Sequence, residues 1–199
     1  MAIFLLIRHG LTDGVGRILA GRMPGVHLNP AGSAQVTDLR RRMGRYRLRA
    51  IYSSPLERAL ETAEPIAADQ GIPITLAPEL NDIDFGSWTG KPFVDLDRLP
   101  EWAWFNSFRG FAAPPGGESL LDVQCRVMNL VARLEQEHPR DTIALVSHAD
   151  VIKATLLTVL GAPLDMVHRL EVEPGSISTV EFAGGSPRVL DINARTMDP

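Results

Sequence analysis

The chain has 199 residues, 45% hydrophobic and 22% charged, the make-up of a globular protein with room for one sizeable core. A formal net charge of −4 argues against a dedicated nucleic-acid binder, and no apolar run approaches the length of a membrane span or a signal peptide. The single cysteine, Cys125, leaves no internal disulfide, and its apolar neighbours predict a reduced, buried thiol in the cytoplasm.

Residues 3–7, Ile-Phe-Leu-Leu-Ile, predict a strand buried on both faces of a parallel sheet. Arg8, His9 and Gly10 follow where that strand ends. In open α/β sheets, ligands bind beyond the carboxyl ends of the strands. His9 is therefore within reach of solvent, and Arg8 offers a fork for phosphate or carboxylate oxygens. Gly10 suits a sharp turn or close approach to a bound anion. The alternative is a strand-end Arg-His pair with no chemistry. Residues 11–28 carry glycines at 14, 16, 21 and 25 without periodicity, a long loop of the kind that is usually functional. Gly14-Val15-Gly16 is superficially like a dinucleotide fingerprint, but Leu19 stands where the third glycine belongs. No Walker-type lysine follows either, so neither nucleotide motif is met. Asn29 and Pro30 then open a helix as N-cap and first residue, with Val36, Leu39 and Met43 as its apolar stripe. The basic run from Arg40 to Arg49 reads as a solvated helix end with Gly44 as the stop; an anion-binding patch is the alternative.

Residues 50–53 predict a second short buried strand. Ser54-Pro55-Leu56-Glu57 has the form of a capping box, and the helix it opens runs to Gly71 with Arg58 in its first turn. A cation there opposes the helix dipole unless it joins free amides in an anion pocket; the other reading is a solvent-facing arginine. A third strand is expected at 74–76. Segment 79–115 changes character, with Trp88, Phe93, Trp102, Trp104, Phe105, Phe108 and Phe111 among prolines and glycines. This predicts a cap-like insertion at about 82–117, short helices over the sheet edge whose aromatics form local core, within a single domain of residues 1–199. Ser119 caps a long helix lined by Val123, Val127, Leu130, Val131 and Leu134, which ends before His138, a surface histidine. A buried strand at 142–146 delivers Ser147 and His148 to its carboxyl end, and the next helix stops at Gly161. Residues 177–182, a Gly184-Gly185 turn and residues 188–192 form a closing hairpin.

Strands followed by helices imply βαβ units and a mainly parallel sheet. Arg8-His9, Arg58 and His148 sit at three strand-to-helix junctions on one sheet edge, so they can converge. Two histidines and two arginines suit a phosphoryl group better than a metal, because phosphoryl transfer needs cations to spread transition-state charge.

On these residues the chain resembles the histidine phosphatase superfamily, also called phosphoglycerate mutase-like, over essentially its whole length. Leu6-Ile7-Arg8-His9-Gly10-x-Thr12 is similar to the family's Arg-His-Gly signature. Ser53-Ser54-Pro55-Leu56-x-Arg58-Ala59-x-x-Thr62-Ala63 is similar to its second block, Val146-Ser147-His148-x-x-Val151-Ile152 to the block of the second histidine. The Pro-Gly-Gly-Glu-Ser run ending at Ser119 also recurs there. The resemblance implies a three-layer α/β/α sandwich with a mainly parallel central sheet. It also implies a metal-independent phosphomonoesterase that uses no cofactor.

In that family the first histidine is the nucleophile, which assigns His9 to a phosphohistidine intermediate; Arg8, Arg58 and His148 then hold the phosphoryl oxygens. The ring nitrogen of His9 that does not attack should donate to a backbone carbonyl. The family places its general acid four residues before the first glycine of Gly86-Ser87-Trp88-Thr89-Gly90, which selects Asp82, with Asp84 and Glu79 as neighbouring candidates. Many members have glutamate where Asp82 stands, and an asparagine where this chain has Val15; Thr12 is a candidate to replace that phosphate contact. Phosphoglycerate mutases carry an insertion for the substrate carboxylate, and here the aromatic segment offers mainly Arg109 for that task. The expected substrate is a small phosphomonoester, with α-ribazole phosphate among the candidates, and a homodimer is allowed for. The alternatives are mutase-type phosphoryl transfer and a phosphate-binding protein of the same fold without turnover.

Overall fold

The computed structural model describes residues 1–183 and 186–195. Six strands form one sheet in the order β3-β2-β4-β1-β5-β6. Strands β1 (Ala2–Arg8), β2 (Leu48–Ser53), β3 (Ile74–Leu76) and β4 (Thr142–Ser147) run parallel; β5 (Ile177–Ala183) and β6 (Ser186–Ala194) close it antiparallel. The hairpin is therefore present, while the Gly184-Gly185 turn lies outside the described residues.

Alternate residues of β1 feed two cores. Phe4 and Leu6 pack with helices α5 (Leu120–Glu137) and α6 (Ala149–Leu160), while Leu5 and Ile7 pack with α1 (Pro30–Met43) and α2 (Glu57–Gln70). This two-sided burial is why the strand reads as an unbroken apolar run. Each such side chain contributes about 1.5–3 kcal/mol of transfer free energy. Both helix pairs cover the sheet, one on each face, giving the three-layer sandwich expected.

Local signals set several helix ends. Asn29 accepts a hydrogen bond from the Gly32 amide, and Ser119 and Asp122 form a reciprocal capping box at α5. The helix α2 departs from its expected cap. It starts at Glu57 after an extended Leu56, with no side-chain cap, because the Ser54 hydroxyl is engaged elsewhere. Three other expectations are corrected. Cys125 is exposed, since Val123 and Val127 point α5's apolar face the other way. Arg42 is not a solvated helix end but is buried, donating to the carbonyls of Ala194 and Gly175. His138 is half-buried, its ring 3.3 Å from the Tyr52 hydroxyl.

Segment 82–117 carries helices α3 (Phe93–Leu96) and α4 (Pro100–Ser107). Trp88, Trp102 and Phe105 interlock with ring centroids 5.5–5.7 Å apart and form local core, whereas Trp104, Phe108 and Phe111, expected to join it, are exposed. Antiparallel backbone bonds tie the glycine-rich loop to this insertion: the Leu19 amide donates to the Lys91 carbonyl, and the Phe93 amide to the Arg17 carbonyl. That pinning turns a loop without periodicity into a wall.

Candidate active site

Strands β2, β4 and β1 are neighbours, so the chain leaves all three at one edge of the sheet. There Arg8, His9, Arg58 and Asp82 line a cavity of about 160 Å³, with His148 buried beside them. Asp82 lies just past a short 3-10 turn, Pro78–Leu80. The His9 and His148 rings stand 5.2 Å apart. Asp82 Oδ2 is 3.2 Å from Arg58 Nη2 and 3.6 Å from His148 Nδ1.

Each group is held in place from behind. His9 Nδ1 donates to the Gly10 carbonyl at 2.7 Å, which leaves Nε2 as the nitrogen with a free lone pair. Burial, then the charges of Arg58 and Arg8, hold its pKa well below the ordinary 6.5, so the ring stays neutral. Thr62 joins two sequence blocks: its hydroxyl donates to the Arg58 carbonyl and accepts from the Gly10 amide. The glycine at 10 also answers a packing need. A Cβ there would come within 2.9 Å of the Gly32 carbonyl of α1. Arg8 Nη1 donates to the Val172 carbonyl, and Arg58 Nη2 to the Gly21 carbonyl. With 1% of its surface exposed, Arg58 is not a solvent-facing arginine.

His148 depends on Ser54, which the sequence marked only as a helix cap within the second block. The Ser54 hydroxyl donates to Asn81 Oδ1 and accepts from the Leu56 amide, so at 3.0 Å it accepts from His148 Nε2–H. That fixes the tautomer and turns Nδ1 toward Asp82. Burial and then Arg58 push the His148 pKa well below its ordinary value too. Burial raises the Asp82 pKa against the opposing pull of Arg58, favouring a carboxyl that retains its proton.

The segment bearing Asp82 is clamped by two arginines. Arg22 Nε donates to the Asp82 carbonyl; Arg126 donates to the carbonyls of Glu79, Asn81 and Asp82. Glu118 bridges both guanidiniums and accepts the Asp84 amide. Next to it Gly86, at φ +51°, and Gly117 cross back to back. A Cβ on Gly86 would lie 2.2 Å from the Pro115 carbonyl, one on Gly117 2.2 Å from that of Asp84. The Pro-Gly-Gly-Glu-Ser run is thus the buttress of the acid-bearing loop. Nothing in the sequence joined Arg22 and Arg126 to it, because both act on backbone carbonyls, whose position only the fold defines.

The remaining candidates are dispersed. Thr12 and Val15 line the cavity. Glu79 ion-pairs with Arg133, and Asp84 accepts the Gly86 amide and faces Arg22, so neither lines the cavity. Arg109 is buried over the Phe105 ring and ion-paired with Asp150, so it does not reach out for a substrate carboxylate. Asp150 itself, two residues after His148, lines the cavity and was missed. Among the described residues, no cluster of three or more His, Cys, Asp or Glu side chains could hold a metal ion.

The histidine phosphatase superfamily (branch 1) model matches residues 4–195. A bifunctional protein of Mycobacterium tuberculosis is 36% identical over 201 residues, covering 95% of this chain but 53% of that protein, so the chain spans about half the length of such relatives. The adenosylcobalamin/alpha-ribazole phosphatase of Escherichia coli is 28% identical, with 96% of each chain covered. Among solved structures, the phosphoserine phosphatase of Entamoeba histolytica in complex with 3-phosphoglyceric acid superposes with a TM-score of 0.88 at 30% identity, covering 98% of each chain. With its fold and its sequence blocks in agreement, the chain belongs to the histidine phosphatase superfamily, branch 1.

Proposed function

We propose that this protein hydrolyses small phosphomonoesters without a divalent metal, through a phosphohistidine on His9. One observation carries the reading. Arg8 Nε, Arg58 Nη1 and His148 Nδ1 are buried nitrogens with no hydrogen-bond partner, grouped around His9. Leaving an arginine N–H so costs about 1–3 kcal/mol, which an anion bound between them would recover. A phosphoryl dianion also returns His148 Nδ1 to its protonated, donating form. His9 Nε2 then attacks phosphorus in line, and the bond to the leaving oxygen breaks as Asp82 gives that oxygen its proton. In the second half, water attacks phosphorus, its proton passes to Asp82, and the bond between phosphorus and His9 breaks.

The arginines already spread the transition-state charge, which is the task a metal ion would otherwise perform. The named phosphatases among the relatives support the reaction class. Among the described residues no helix is long and apolar enough to cross a membrane, and the exposed thiol of Cys125 suits a reducing cytoplasm. The test is turnover of p-nitrophenyl phosphate in chelator, with rapid quench of labelled substrate. The expected result is full activity and an acid-labile, base-stable adduct that is absent from His9→Ala. Activity restored only by Mg²⁺ or Zn²⁺, or an adduct that persists in His9→Ala, would overturn the proposal.

A further inference from the structure

Arg42 stands in the last turn of α1, next to Met43 of the apolar stripe, and it is buried. Taking a guanidinium out of water is costly unless good hydrogen bonds meet it, and an apolar side chain would fill the place without that cost. The groups Arg42 meets come from far along the chain. Nη1 donates to the Ala194 carbonyl at 2.9 Å and Nη2 to the Gly175 carbonyl at 2.6 Å, while Nε lies 3.1 Å from Asp38 Oδ2. Gly175 belongs to a tight turn just before β5. The Ser176 amide donates to the Glu173 carbonyl, Pro174 holds the second position, and Gly175, at φ +73°, holds the third. This turn supports the phosphoryl-binding end of β1 from behind. The Gly175 amide donates to the carbonyls of Arg8 and His9, at 3.2 Å to each, and the Ser176 carbonyl accepts the Arg8 amide at 3.1 Å. Just upstream, the Val172 carbonyl accepts Arg8 Nη1 at 2.6 Å.

We infer that Arg42 is a positioning residue for phosphoryl binding: it fixes residues 172–176, and through them it aims the Arg8 guanidinium at the anion. The inference rests on the phosphatase reading above and adds to it a residue that never touches substrate. Arg8 Nη1 is spent on Val172, so the direction of Nε, the buried nitrogen left for the anion, follows the place of that carbonyl. The segment is in turn held by the Gly175 carbonyl, whose partner is Arg42. An arginine suits the task because its fork spans two carbonyls at once. In Arg42→Lys the charge beside Asp38 survives, but the ammonium can serve only one carbonyl at a time.

A double-mutant cycle tests this, with wild type, Arg42→Met, Arg8→Ala and the double variant. It is read twice: on kcat/KM for p-nitrophenyl phosphate, and on the affinity for inorganic phosphate by ³¹P NMR titration. Arg42→Met leaves both carbonyls unpaired and should lower each quantity about tenfold in the wild-type background. In the Arg8→Ala background the same substitution should cost less than about twofold, because the guanidinium it aims is already gone. A merely structural role would lower both quantities by the same factor in the two backgrounds. That result overturns the inference, and so does an Arg42→Met protein with undiminished kcat/KM and affinity. Should Arg42→Met fail to fold, Arg42→Lys takes its place, with a loss of about threefold expected in the same pattern. If the wild type binds phosphate but hydrolyses no ester, the phosphatase reading alone falls and the affinity cycle decides the role of Arg42. If the wild type binds no phosphate, both fall.

Discussion

Asp82 is the residue whose role can be isolated most cleanly, because the first half-reaction needs its proton only when the leaving group is a poor one. Burial favours the protonated form of its carboxyl against the pull of Arg58, and it lies 3.6 Å from His148 Nδ1. A p-nitrophenolate departs without a proton, whereas a glycerol or sugar alkoxide does not. Asp82→Asn should therefore still be phosphorylated by p-nitrophenyl phosphate, with a burst in stopped-flow, while kcat/KM for alkyl phosphates falls by about two or more orders of magnitude. Equal losses for both substrate types in the first step would give Asp82 a positional role. Legibility at this scale followed a simple line. His9, Arg8 and His148 could be found because a polar residue at the end of a buried strand is conspicuous in one dimension. Ser54 and Asp150 could not, since a serine in a turn and an aspartate in a first helical turn each have an ordinary local explanation. Only the approach of His148 to one and Arg109 to the other gives them work.

At the scale of elements, the same contrast separates the helix caps. Asn29 and Ser119 serve amides within their own turns, so three or four residues of sequence suffice to read them. Ser54 serves Asn81 and His148, from other parts of the chain, and its apparent capping box dissolves. The acid-bearing loop is likewise built from two distant segments, and their crossing can be tested with adjacent glycines. Gly116 has φ +73° and open space around it, so Gly116→Ala should cost only the backbone term, about 1–2 kcal/mol. At Gly117 the new Cβ would run into the Asp84 carbonyl at 2.2 Å, and overpacking there should cost about 1–3 kcal/mol while pushing the loop off its clamp. Urea denaturation should show both losses. Activity on alkyl phosphates, which needs Asp82 in place, should drop in Gly117→Ala alone. A parallel drop in both variants would mean that the crossing does not position the acid.

The molecule as a whole carries a stability cost for burying two histidines and two arginines at one sheet edge, and that cost depends on pH. In the unfolded chain His9 and His148 take up protons below about pH 6.5. In the folded protein, burial and the arginines hold both pKa values well below that, so the rings stay neutral there. The unfolded state then binds more protons, and the stability these groups support is fully present above about 6.5 and lost as pH falls below it, by up to about 1.4 kcal/mol per pH unit for each ring. Asp82 has the opposite sign. Its folded pKa is raised, so its contribution is full below its ordinary 3.8 and lost as pH rises through the folded value. Comparing wild type with the His9→Asn, His148→Asn double variant isolates the histidine part, because other titrating groups, such as His27 beside Glu61, remain in both proteins. The buffer must be free of phosphate, since an anion bound by the native state would itself raise the histidine pKa values. Between pH 7.0 and 5.5, denaturant midpoints should show the wild type losing about 2 kcal/mol more than the double variant. Equal losses would mean that the two rings take up protons in the folded protein as readily as in the unfolded one. His9 would then be a cation, not a nucleophile, through the acid range.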